Sequence, residues 1–286
     1  MEFVYSVEQY YELIEVRKKE LGRLKTNCTL NGEMINRYIS MKRFFYEECE
    51  SGLFFFSDEE NYFQLYYYLQ DGILFDIKRK NKPILIQNIY QEGKENKFLS
   101  FLNIQLQKNG FELKDTLRHA VLRETDKLFE KIEKSVNKIA CIQKKEKLEF
   151  KDVGEEQLEE LKIFMNGIEE IPFYQYPYFT DEEYLEEAKE GKLSCIVNEN
   201  GKMIAARHLI VSGKKAYGWV GIDNKYKGLY GLAPLILHHQ LIYLRKNNIA
   251  MCSWVKTTNV PSIQYHNRIG SVWTGQLEDE WLLELE

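Results

Sequence analysis

Ile222-Asp223-Asn224-Lys225-Tyr226-Lys227-Gly228-Leu229-Tyr230-Gly231-Leu232-Ala233-Pro234-Leu235 is the stretch from which the rest of the chain can be organised. Before it, Ala216 to Ile222 has the β-branched and aromatic content of a strand; after it, Leu235 to Lys246 spaces apolar residues as a helix does. Glycines let backbone approach an anion closely. The unpaired N–H groups and positive dipole end of the following helix favour negative charge, which together make a cradle for a pyrophosphate. Pro234 suits the first helical turn, where its missing N–H removes no intrahelical bond. A strand, a glycine-containing turn and a helix are commonplace, so the stretch alone is read equally well as a connecting loop.

Working outward, Leu193–Asn198 and Met203–Val211 are expected strands joined by the turn Glu199-Asn200-Gly201. Upstream, Leu148–Val153 reads as a strand and Glu155–Asn166 as a helix. Thr180-x-x-Glu183 is a capping box opening a helix to Lys189. Downstream come the strand Ile249–Lys256, the helix Pro261–Asn267 and terminal strands through Leu285. The order is βααβββαβαββ, mixed α/β. After the Ile249–Lys256 strand stand Asn259, Pro261, Ser262, Tyr265 and Gly270, in the pattern N-x-P-S-x-x-x-Y-x-x-x-x-G.

With both motifs in view, Leu148 to Glu286 resembles the GNAT acyltransferase superfamily. A strand end of the form V-x-P-x-Y-R-G is similar to Ile222, Asn224, Tyr226, Lys227 and Gly228, and N-x-x-(A/S)-x-x-x-Y-x-x-x-G-F is similar to Asn259, Ser262, Tyr265 and Gly270. The resemblance implies acyl transfer from acetyl-CoA or another acyl-CoA cosubstrate to an amine by direct attack. It implies that Ile222, Lys227, Gly228, Tyr230, Gly231, Leu232 and Ala233 hold the coenzyme together with Asn259 and Ser262, and that Tyr265 stands near the thioester sulfur. A phenol there can stabilise and protonate a departing thiolate. The loop departs from the family's R-G-x-G-x-G/A: Tyr230 and Leu232 fall on glycine positions unless the register shifts by one, when Gly231 and Ala233 supply the small residues.

A base for the amine is not fixed by pattern. His208, on the Met203–Val211 strand, is a candidate to accept the proton directly or through water, and equally a strand histidine bonded to a neighbour. His238 and His239, adjacent on a helix, cannot both face one ligand, and His266 is expected to be exposed. The aromatic loop Pro172–Phe179 falls where the family binds its acceptor; Tyr174, Tyr176 and Tyr178 either line a pocket there or pack.

The N-terminal half is a fainter echo. Ser6–Lys25 has helical spacing, Gly52–Leu69 reads as a β-hairpin about Ser57–Asn61, Pro83–Tyr90 as a strand, and Lys94–Asn109 as a helix stopped by Gly110. Phe111–Arg123 returns as one or two strands. The run Lys94–Arg123 is similar to the closing elements of the same family, with no phosphate loop before it, so this half is either a degenerate second copy or an unrelated α+β domain. The glycine-free run Asp126–Lys147 reads as a helical connector, which sets the domains at 1–147 and 148–286 in a tandem GNAT-like fold with a mixed central sheet flanked by helices.

A length of 286 residues suits two domains. The net charge of −5 offers no global field for a phosphate backbone, which disfavours nucleic acid as a partner. Five scattered cysteines without C-x-x-C spacing argue for a reducing compartment and no metal site, and no apolar run is long enough for a signal peptide or membrane span, so a cytoplasmic location is expected. The resemblance implies an amine acceptor carried by a small molecule, a peptide or a protein. Two other functions fit the same residues: a catalytically inactive binding or regulatory module, and a transferase of this fold using aminoacyl-tRNA.

Overall fold

The computed structural model describes residues 1–72, 75–123, 126–134, 144, 147–167, 179–228 and 231–285. By packing, the chain forms two units. Unit 1 comprises Met1–Arg118 with Gly275–Glu286, and unit 2 comprises His119–Thr274. The sequence placed the division near residue 147 and grouped 275–286 with the second half. The tail joins unit 1 because of its pairing and its core, as follows.

In unit 1, β1 (Glu2–Phe3), α1 (Val7–Leu21), β2 (Leu24–Thr26), α2 (Gly32–Ser40), β3 (Phe44–Cys49), β4 (Gly52–Asp58), β5 (Phe63–Gln70), β6 (Ile84–Gln91), α3 (Lys97–Lys108) and the start of β7 (Glu112–Leu122) follow in chain order. The expected hairpin forms, with Asp58 opposite Phe63. Its strands carry side chains buried on both faces: Phe54, Phe56 and Leu65 enter one apolar cluster, Leu53, Phe55 and Tyr66 another under α1 and α2. Next to β6 lies the far end of the chain. β13 (Val272–Leu283) pairs antiparallel with it from Gln276↔Gln91 to Leu283↔Ile84. Trp281 and Leu283 enter the same core as Ile84, Ile86 and α3's Leu102. The facing rows place Glu278 and Glu280 on one side of the sheet, where both accept from Gln87 Nε2, at 3.0 and 3.2 Å.

The parallel pair of unit 1 is filled. β5 and β6 meet only at Phe63↔Ile84 and Gln64↔Leu85 before parting. β2 then pairs with the free end of β5, from Leu24↔Gln70 to Thr26↔Tyr68. Just beyond it the Asn27 amide donates to Leu65 O and Gln87 O, both at 3.1 Å, and accepts from Tyr67 N at 2.8 Å, bridging the two strands where they separate. Among the described residues from 71 to 83 there is no helix and hence no cradle of the kind sought in the sequence.

Unit 2 holds the rest of β7, a helix over 126–134 (α4), β8 (Glu149–Asp152), α5 (Glu155–Asn166), α6 (Asp181–Lys189), β9 (Leu193–Val197), β10 (Met203–Ser212), β11 (Lys215–Ile222), α7 (Leu232–Asn247), β12 (Ala250–Lys256), α8 (Val260–Ile269) and the start of β13. The capping box forms: Thr180 Oγ1 accepts from Glu183 N and Glu183 Oε2 from Thr180 N. β8 to β11 run antiparallel, whereas β11 and β12, joined through the crossover helix α7, run parallel. Ala206, Leu193 and Met203 pack under α5 and α6, and Ile204, Ala205 and Leu209 under α7; a register shift between Met203 and Ala205 puts the neighbours Ile204 and Ala205 on one face, and alternation resumes after it.

Where the sequence expected several terminal strands there is one, and β7 is likewise single. Among the described residues no helix is long and apolar enough to cross a membrane, and no group of three or more His, Cys, Asp or Glu side chains is placed to hold a metal. Cys28, Cys49, Cys195 and Cys252 are free thiols, while Cys141 lies outside the described residues.

Candidate active site

β11 and β12 are in register for three residues only, Lys215↔Ala250, Ala216↔Met251 and Tyr217↔Cys252, and then diverge. Their facing backbone edges are no longer paired with one another beyond that point. The divergence opens a cleft of about 270 Å³. Gly218 and Val220 of β11 form one wall and Met251, Ser253, Trp254 and Val255 of β12 the other. α7 contributes Ala233, Ile236 and Gln240, and α8 contributes Ser262, Tyr265 and His266.

At the start of α7 the chain passes Gly228 with φ +73° and Gly231 with φ +65° and ψ +29°, left-handed conformations that glycine adopts without steric cost. Gly231 is the N-cap and brings no side chain to cap the helix. The N–H groups of Leu232 and Ala233 therefore lack intrahelical acceptors and point out of the positive helix end, while Pro234 has no N–H to offer. Leu232, one of the two departures from the family pattern, is 1% exposed and packs with Ile196, Ile204 and Ala205, so it fills core rather than the cradle. Ile222 packs in the same cluster. Lys227 is exposed beside Gly228, and Tyr230, the other departure, lies outside the described residues with Leu229.

The second motif is placed as follows. Asn259 is the N-cap of α8, its Oδ1 accepting from Ser262 N at 3.1 Å, which leaves its NH₂ group to donate elsewhere. Tyr265, six residues after Asn259, lines the cleft, and its hydroxyl makes no hydrogen bond among the described residues. Burial holds its phenol far above the usual range, so it stays protonated. His266, expected to be exposed, is buried: Nδ1 is bonded to Ser271 Oγ at 3.1 Å, and burial lowers its pKa to about 4. Its place on the inner side of α8, a turn after Ser262, is the reason.

His208 is not in this lining. It sits on the α5–α6 face of β10, fully buried, with Nε2 3.2 Å from Glu187 Oε2 and the Phe179 ring centroid at 4.9 Å. Burial lowers its pKa despite Glu187, leaving it neutral. His238 and His239 pack against aromatic rings, His239 stacked on Phe150. Tyr174, Tyr176 and Tyr178 lie outside the described residues.

Two residues were missed in the sequence. Gln240 lies on the stripe Ala233, Ile236, Gln240, Leu244 of α7, and a polar residue on an apolar stripe is a signal that was available. His119, in β7, faces the same side of the sheet as His208 and touches both diverging strands, with ring centroids 4.7 Å from Trp254 and 6.3 Å from Tyr217. Its Nδ1 is 3.0 Å from Thr274 Oγ1, whose hydroxyl donates to the His119 carbonyl; this assigns the ring proton to Nδ1. Nε2 is then a bare lone pair, buried and without a partner among the described residues. Burial and Lys215 lower its pKa. No sequence pattern marks this residue.

Comparison with solved structures finds the same fold elsewhere. A tandem GNAT protein from the clavulanic acid biosynthesis pathway matches over 98% of this chain and 94% of its own, at 10% identity and a TM-score of 0.53. A GCN5-related N-acetyltransferase-like protein from Streptococcus suis matches over 94% and 99%, at 11% identity and a TM-score of 0.52. A glucosamine N-acetyltransferase region of a fungal multi-domain β-N-acetylglucosaminidase matches over 82% of this chain and 31% of that one, at 14% identity and a TM-score of 0.53. No protein-family model and no curated protein sequence matches the chain. The fold is that of the GNAT acyltransferases, in a tandem arrangement.

Proposed function

We propose that unit 2 binds an acyl-CoA thioester and transfers its acyl group to an amine. The observation that carries this reading is the parting of β11 and β12 after three pairs into a cleft lined by Tyr265 and by Ala233 at the start of α7. The residues fit such a cosubstrate. Gly228, Gly231 and the N–H groups of Leu232 and Ala233 suit a diphosphate, with Lys227, Asn259 and Ser262 alongside; the unpaired edges of β11 and β12 offer N–H and C=O groups to the amides of a pantetheine arm.

In the transfer, the amine nitrogen bonds to the thioester carbon, the carbon–sulfur bond breaks, and sulfur takes its proton from the Tyr265 phenol. The phenol is protonated at neutral pH and can donate a hydrogen bond to sulfur as charge develops there. The amine's own proton leaves on the opposite face, and His119 suits it better than His208: His119 Nε2 has no partner, whereas His208 Nε2 is held by Glu187. Both imidazoles are neutral, as a base must be.

Calorimetry with acetyl-CoA tests the reading. Heat of binding and a raised unfolding temperature are expected, and Ser253→Trp, which fills the cleft, abolishes both while the protein remains folded. No heat and no thermal shift at millimolar acetyl-CoA would remove the proposal.

A further inference from the structure

The closed end of the cleft carries an unpartnered carboxamide. Gln240 lines the cleft, is 2% exposed, and makes no hydrogen bond among the described residues; its Nε2 is fully buried. A buried amide left without a partner is costly, so its retention at this point calls for a group that the chain itself does not supply. Gly218 leaves room for it: Nε2 lies 3.2 Å from where a Cβ on Gly218 would stand, tighter than side chains ordinarily pack.

The location fixes what meets it. Gln240 lies seven residues after Ala233, about 10 Å along the helix from the cradle. Gly218 follows Tyr217, the last residue of β11 paired with β12, and Met251 is itself paired with Ala216. The amide therefore stands where the strands close, at the end opposite the phosphates. With sulfur assigned to Tyr265, the acyl group is what remains to fill that end.

We propose that Gln240 selects a short acyl group bearing a hydrogen-bonding atom near its far end, such as a hydroxyacyl group, over a hydrocarbon acyl group of the same size. This inference rests on the acyl-CoA reading. The carboxamide offers two donors and an acceptor, and its two ends exchange by a half-turn, so a hydroxyl at that depth finds a partner in either orientation. A methyl group there leaves Nε2 as it is now, unpaired and cut off from water.

The test is calorimetry with CoA, butyryl-CoA and 3-hydroxypropionyl-CoA, the last two being isosteric with a hydroxyl in place of a methyl. The hydroxyacyl ester is expected to bind about 10-fold or more tightly, and Gln240→Leu to erase or reverse that preference. Equal affinities in the unaltered protein overturn the inference, as does a preference that survives Gln240→Leu. Should the variant not fold, the isosteric pair on the unaltered protein decides alone. Binding of CoA without discrimination sinks this inference and spares the acyl-CoA reading. Failure of all three to bind sinks both.

Discussion

Glu278→Gln should change how the stability of unit 1 depends on pH. Glu278 and Glu280 point to the same side of β13, two residues apart, and share the single Gln87 amide. Burial first, and the neighbouring Glu280 and Asp279 second, push the Glu278 carboxyl from 4.5 up to about 8. It is thus protonated in the folded protein at neutral pH, whereas the same carboxyl in the unfolded chain is ionised. The stabilisation from holding this proton is fully present below pH 4.5, drains away as pH rises, and is gone above about 8. From 4.5 to about 8 is a difference of about 3.5. At about 1.4 kcal/mol per unit, up to about 5 kcal/mol is lost across that window. Glutamine keeps the shape and cannot ionise, so the variant lacks this loss. Urea unfolding of both proteins at several values between pH 4.5 and 8 reads the effect, with the gap shifting toward the variant as pH rises. Parallel curves for the two proteins would refute a protonated, buried Glu278.

Tyr265→Phe should lower turnover by about 10²-fold or more while leaving acetyl-CoA affinity nearly unchanged, since it removes an acid and little packing; equal turnover rejects the acid role. His119→Gln, assayed with any amine found to accept the acyl group, should lower turnover and remove the acidic limb of the pH–rate profile, and an unchanged profile returns the base to His208 or to water. Asn27→Ala removes the three hydrogen bonds by which Asn27 holds β5 and β6 and should cost about 2–3 kcal/mol in chemical unfolding without altering acyl-CoA binding by unit 2. If that variant binds a second equivalent of acetyl-CoA, the filled pair of unit 1 is a blocked site rather than a lost one.

Unit 2 was largely legible in the sequence because its signals are local. The capping box at Thr180, the turn at Asn198–Gly201 and the strand–glycine–helix stretch each act within a few residues, and each forms. The helix α7 begins three residues earlier than expected, because Leu232 finds a core to enter, which no local rule foretells. Long-range partners were invisible. Nothing near Gln276–Leu283 shows that these residues pair with β6, and nothing near His119 shows that Trp254 and Tyr217 surround it. β2 and its Asn27 bridge, too short for periodicity, also escaped notice, yet they fill the gap between β5 and β6. At the site, Tyr265 and Ala233 were found through motif spacing, while Gln240 was passed over as one polar residue in an apolar helix.

The placement of β13 in unit 1 has a consequence for synthesis. The first unit cannot complete its sheet until residues 276–283 have been translated, after every residue of the second. While the ribosome works through that interval, β6 presents an open edge that other nascent chains can pair with, so the N-terminal part of the molecule is the one that needs chaperone protection longest. Proteolysis or premature termination that removes the last dozen residues would damage the half of the protein made first.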